Sequence, residues 1–344
     1  MKIKINRQAK TKPYRFMEVC GTHTNVISSS GIRQMVKDKV QLISGPGCPV
    51  CVTTQKDIDL IIGLAQWSNV IITTFGDLMR VPGTKSTLER EKALGANIQI
   101  VYSPTDALTL AKNTKKIVIF VGVGFETTAP AVAVTILKAK QQRIKNFYLL
   151  PLLKLIPPAL QKIAQDPRLQ IDGFILPGHV STIIGSKPYE FLARDYRKPC
   201  VITGFEPEDI LEAINNLLQQ IRERNYYVAI QYKRCVERDG NLVAQDIIKE
   251  VFQPIGAYWR GLGLIPNSGL ELSKDYESFD ARKYFQIDVS EPKMQPCRCG
   301  DILLGLITPK ECPLFGKSCS PSHPVGPCMV SSEGACAAYY KYEQ

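Results

Sequence analysis

Seven apolar runs without hydrophobic alternation constrain this chain more than any other feature: VQLISG (40–45), NVIITTF (69–75), IQIVYS (98–103), KIVIFVG (116–122), FYLLPLL (147–153), DGFILPG (172–178) and PCVITGF (199–205). A strand of that kind is buried on both faces, which confines it to a parallel sheet covered by helices on each side. The helices are at hand between the runs, as DIDLIIGLAQ, TLEREKAL, DALTLAKN, APAVAVTILKAKQQ, PPALQKIAQ, KPYEFLARDY and PEDILEAINNLLQQI. With FMEVCGT counted as a first strand and its loop, the stretch divides into two sets of four βα units, 16–114 and 115–225. The expected fold class is α/β: two similar parallel-sheet domains behind an N-terminal extension, 1–15.

From Tyr226 the rhythm changes. YYVAIQYKRCV reads as a strand and Gln245 to Gln253 as a short helix, and the rest is rich in Gly, Pro and turns. Residues 226–344 are therefore expected to form a C-terminal region with little regular core, ordered by something besides apolar packing. Metal binding supplies folding free energy of that kind.

No stretch approaches the ~20 consecutive apolar residues of a membrane span, and the basic start MKIKINRQAKTKPYRF lacks the apolar segment of a secretory signal. A cytoplasmic protein without a membrane partner is expected. In that compartment the eleven cysteines are read as thiols, redox pairs or metal ligands before structural disulfides. The net charge of +11 is spread along the chain, with no basic run interleaved with aromatics, so no nucleic-acid partner is expected.

In open α/β sheets ligands sit beyond the carboxyl ends of the strands. The unusual residues recur there, in EVCGTHT (18–24), GPGCPVC (45–51), TFGDLMRVPG (74–83), GVGFETTAP (122–130), PGHVSTIIG (177–185) and TGFEPED (203–209). Cys48 and Cys51 form a CxxC ahead of a helix that Thr54 and Asp57 are placed to cap, a setting for redox or metal chemistry. The alternative is a pair of small buried residues in a Gly-Pro turn. Cys20 and His23 stand three positions apart in a chain with only three histidines, as a nucleophile and base or as metal-binding groups; the bland alternative is a buried cysteine and a capping histidine. If the sheet sets the first two loops side by side, Cys20, Cys48 and Cys51 converge; His179 then either faces them across the domain cleft or is a loop histidine satisfied by backbone. GVGFET is not a dinucleotide fingerprint, because Thr127 stands where GxGxxG requires glycine. Trp259 and Arg260, in 252–272, read as a partner surface or as a packed linker.

Six cysteines fall between Cys297 and Cys336. Cys297 and Cys299 form CRCG, whereas Cys312, Cys319, Cys328 and Cys336 are separated by six, eight and seven residues, without the tight pair common in zinc sites. Iron–sulfur clusters accept thiolates on loops of more varied spacing. A [4Fe–4S] cluster, zinc, and thiols or disulfides all remain open on spacing.

CGTHT, GPGCPVC, TFGDLMRVPG, GFETTAP, PGHVSTIIG, TGFEPED, WRGLGLIPNSG and CPLFGKSCSPSHPVGPCMVSSEGACAAYY, in this order over nearly the whole chain, together resemble the hydrogenase maturation factor family HypD. The resemblance implies two α/β domains, a C-terminal [4Fe–4S] cluster, and a role in assembling the Fe(CN)2CO group of [NiFe] hydrogenases. It implies a HypC-type small chaperone and a HypE-type cyanide donor as partners, and a scaffold with redox activity more than a turnover enzyme. Carried over, Cys20 matches the cysteine that holds the iron being decorated, with His23 its neighbour. Cys48 and Cys51 match a redox-capable pair, and Cys312, Cys319, Cys328 and Cys336 the cluster ligands, with the CRCG pair adding two further cysteines to choose among. The chain departs from the family pattern at Asn25, where a histidine is frequent, and at Thr54, where proline is frequent. The competing class is an iron–sulfur-dependent thiol/disulfide oxidoreductase acting on a small substrate; a third is a structural zinc protein.

Overall fold

The computed structural model describes residues 12–285, 287 and 296–343. Residues 1–11 of the expected N-terminal extension, and residues 288–295 of the C-terminal region, lie outside the described residues. Each apolar run forms a strand: β1 Tyr14–Glu18, β2 Val40–Ser44, β3 Val70–Thr74, β4 Ile98–Ile100, β5 Ile117–Gly124, β6 Phe147–Leu153, β7 Gly173–Pro177, β8 Cys200–Thr203 and β9 Val228–Ile230. They pair in parallel throughout. The expected helix near 245 spans Leu242–Val251.

The strand orders are β2-β1-β7-β8-β9 in a five-stranded sheet and β4-β3-β5-β6 in a four-stranded one. These sheets cut across the division at 114/115. β1 and β2 join β7, β8 and β9, while β3 to β6 form one continuous insertion between β2 and β7. Periodicity identifies a buried strand but carries no label for its partner, so two sheets of four units each and this interleaved arrangement look alike in sequence.

Alternate residues on a strand serve opposite faces. Phe16 and Ile175 pack under the helix Pro207–Glu223, while Met17 and Phe174 enter a larger core that also holds Ile72, Ile119 and Val121 of the four-stranded sheet. The C-terminal cysteines belong to that same core. Apolar packing therefore contributes to ordering a region whose composition gave little sign of it. Its other feature is an antiparallel hairpin, β10 Phe252–Trp259 and β11 Gly263–Leu272, where a partner surface or linker was expected. Gly261 and Gly263, at φ +82° and +72°, make the turn in a backbone region that side chains resist. Trp259 is buried, donates Nε1–H to Ser268 Oγ at 2.9 Å and stacks on Phe125 with ring centroids 5.9 Å apart.

Candidate functional site

Strand order reverses between β1 and β7 in one sheet and between β3 and β5 in the other. Such switch points open a crevice at the carboxyl ends of the strands. The loops there are the ones that carry Cys20 and His179 in the first sheet, Asp77 and Glu126 in the second. The motifs thus share a topological cause.

Cys20 is buried and caps the helix Gly21–Ser29. Because β1 lies beside β2, its loop meets the CPVC loop directly: Gly21 N–H donates to Gly47 O at 3.1 Å, and a Cβ on Gly47 would stand 2.2 Å from the Cys20 backbone nitrogen. Cys48 and Cys51 are joined as a disulfide, Cα atoms 5.2 Å apart, with Cys51 N–H on Cys48 Sγ at 3.1 Å. Thr54 makes the expected capping box with Asp57. Burial pushes the Cys20 thiol up to about 11, against the helix-start N–H groups of His23 and Thr22; the nearby Glu333 adds to the rise. A bare thiolate is disfavoured there, and a cation bound at sulfur would reverse the balance.

His23 is fully buried but turned away from the thiols. Its Nε2 lies 2.9 Å from Gly204 O, which makes Nε2–H the donor, and its Nδ1 is buried without a partner. Phe205 separates it from His179: the rings stack at 5.0 Å and 4.0 Å respectively. His179 is exposed at the outer end of this stack. The two histidines are brought together, then, but on an aromatic ring in the TGF loop.

The C-terminal segment closes over the first loop. Thr22 Oγ1 donates to Glu333 Oε1 at 3.1 Å, Asn25 Nδ2 to Ser332 O at 3.2 Å, and Ser331 Oγ to Asp77 Oδ2 at 2.8 Å. Behind it all six C-terminal cysteines line one pocket with Ile302, Leu314, Phe315 and Met329. Cys328 is joined to Cys299 in a disulfide. The free thiols are Cys297, Cys312, Cys319 and Cys336. Cys336 is pushed well up by burial and by the charges of Cys297, Cys319 and Cys312, the electrostatic mark of thiols crowded together. Gly326 admits Cys297, whose Sγ would lie 2.4 Å from any Cβ there, and Val325 N–H donates to Cys319 Sγ at 3.4 Å. Among the described residues no three His, Cys, Asp or Glu groups close on a single metal ion.

Arg260 joins the two cysteine regions. Its backbone N–H donates to Val52 O and its Nε to Thr53 O, both at 2.9 Å, just past the CPVC turn. Its Nη2 is buried without a partner, and the charge it senses most among its neighbours is that of Cys297. The short helix Pro327–Val330, carrying Cys328, packs against Pro49–Val52, carrying Cys51. Spacing did not single out Cys297 or Glu333. The CRCG pair was the available signal for the first, and nothing local marks the second; Arg260 was marked by its place beside Trp259 between glycines, but not its link to the CPVC turn.

A family model, HypD, described as "Hydrogenase formation hypA family", matches residues 1–343. The chain is 47% identical over 341 residues to hydrogenase maturation factor HypD2 of Bradyrhizobium diazoefficiens, covering 96% of this chain and 90% of that one. It is 46% identical over 336 residues to hydrogenase maturation factor HypD of Escherichia coli, with 97% and 90% covered. With HypD of Cupriavidus necator it shares 43% over 354 residues, with 99% and 93% covered. No helix among the described residues is long and apolar enough to cross a membrane.

Proposed function

The chain belongs to the HypD family of hydrogenase maturation factors, and we propose that its part in maturation is to hold the iron of a [NiFe] hydrogenase while the Fe(CN)2CO group is assembled on it. The observation that carries this reading is the contact between the Cys20 loop and the Cys48–Cys51 loop, which sets a soft ligand beside a two-electron thiol couple. Cys20 binds the iron through sulfur and gives up its proton as it does so, the metal's charge offsetting the burial that disfavours the thiolate. A HypC-type small chaperone supplies a further ligand and a HypE-type donor the cyanide; neither nucleic acid nor a membrane takes part. The setting is the cytoplasm, where the thiol pool keeps a lone cysteine reduced.

We further propose that Cys312, Cys319, Cys328 and Cys336, four of the six cysteines on the C-terminal pocket, are the holders of a [4Fe–4S] cluster. The donor set fits: these cysteines share one pocket with Ile302, Leu314, Phe315 and Met329, and the unpartnered Arg260 Nη2 is in need of a negative neighbour. When bound, the cluster supplies single electrons. Opening the Cys48–Cys51 disulfide takes two electrons and two protons and yields two thiols.

Infrared spectra of the anaerobically isolated protein test the central assignment. Bands of iron-bound cyanide and carbon monoxide are expected for the natural chain and are expected to vanish for Cys20→Ala. Their persistence in the variant would remove Cys20 from the iron.

A further inference from the structure

We propose that a cavity of about 450 Å³ between the Thr54–Asp57 turn, the end of β6 and the β10–β11 hairpin binds a small oxyanion-bearing molecule through Lys154. Lys154 ends the apolar run FYLLPLL, and its backbone is pinned there by N–H donation to Gly124 O at 3.0 Å and a bridge to Gly269. The side chain points inward and is only 3% exposed. Nζ donates to Tyr258 O at 2.9 Å and lies 5.9 Å from the Trp259 ring centroid, which leaves two of its three donors for something else. No carboxylate stands within ion-pairing distance of it among the described residues. Asp57, the acid whose charge reaches it, turns its Oδ2 back to the Thr54 N–H and hydroxyl.

A buried ammonium without a counter-charge is either neutral or completed by an anion. The cavity provides the place for the anion. Lys154 lies within, exposed Lys56 and Arg282 border the same space, and Leu152, Leu153 and Leu270 give it apolar walls. Its volume falls within the ~300–1,000 Å³ of small-molecule sites. Burial lowers the Lys154 amine, so an anion that requires the ammonium raises it again and takes up a proton on binding. The site is separate in its residues from the cysteines of the iron chemistry.

Calorimetry on the anaerobically purified full chain tests this, titrating inorganic phosphate and, separately, succinate against chloride at equal ionic strength. At least one of the two is expected to bind with proton uptake, read from buffers of different ionisation enthalpy. Binding should weaken about tenfold in Lys154→Met and several-fold in Arg282→Gln, the scale of losing a desolvated or a bordering charge. Phosphate alone would identify a phosphate-bearing molecule, succinate alone a carboxylate. Absence of binding to the natural chain, or undiminished binding to Lys154→Met, would overturn the proposal. Should that variant not fold, undiminished affinity in Arg282→Gln without proton uptake in the natural chain would do the same.

Discussion

Burial lowers the His23 imidazole to about 4 and raises the Glu126 carboxyl to about 7, so each is neutral in the folded chain where its unfolded counterpart is charged. The signs oppose. Between about pH 4 and 6.5 the unfolded chain binds the extra proton at His23, and stability is lost as pH falls. Between about pH 4.5 and 7 the folded chain holds the extra proton at Glu126, and stability is lost as pH rises. Each shift is worth about 3 kcal/mol, so these contributions nearly cancel over the shared window. Glu126→Gln removes one of them while leaving an oxygen for the Ile156 N–H. Denaturant unfolding at a series of pH values should then show stability rising more steeply from about pH 4.5 to 6.5 in the variant than in the natural chain; an unchanged profile would contradict the balance. The identity of His23 as an unusual residue was legible in CGTHT, but its direction was not. Three positions from the cap at Cys20, the helix turns the ring toward Gly204 and Phe205, a contact made only when β8 is in place.

Helix starts and buried strands followed their local chemistry closely, because capping and non-alternating burial are properties of consecutive residues. Thr54 accepts from Asp57 N–H as its spacing demands, whatever lies beyond. The hairpin β10–β11 escaped notice because Pro254, Gly256, Pro266 and Gly269 interrupt the pattern by which a strand is recognised. Gly47 is where the elements of the site meet: it has no Cβ where the two thiol loops touch. Gly47→Ala should force those loops apart, lowering stability by about 1–3 kcal/mol as overpacking does. The cyanide and carbon monoxide bands should weaken with it. A variant of natural stability and undiminished bands would show that the close approach of the loops is not needed.

Neither parallel sheet can be closed by the first third of the chain. A fragment ending at residue 114 contains β1 and β2 without β7, and β3 and β4 without β5. It should show no near-ultraviolet circular dichroism, whereas a folded fragment would restore the division of domains that the sequence suggested. The C-terminal segment is equally dependent on the rest. Its contacts at Thr22, Asn25 and Asp77 bring residues more than 250 positions apart onto one site. By itself the sequence determined the α/β class, the parallel strands, most of the helices and the chemistry-bearing loops, since these rest on periodicity, caps and residue types within a few positions. Only the tertiary structure decided which strands share a sheet, that all six C-terminal cysteines line one pocket, and that Lys154 is buried at a cavity. Each of those is a statement about distances between segments far apart in the chain, and a linear pattern carries no record of such distances until the core has closed.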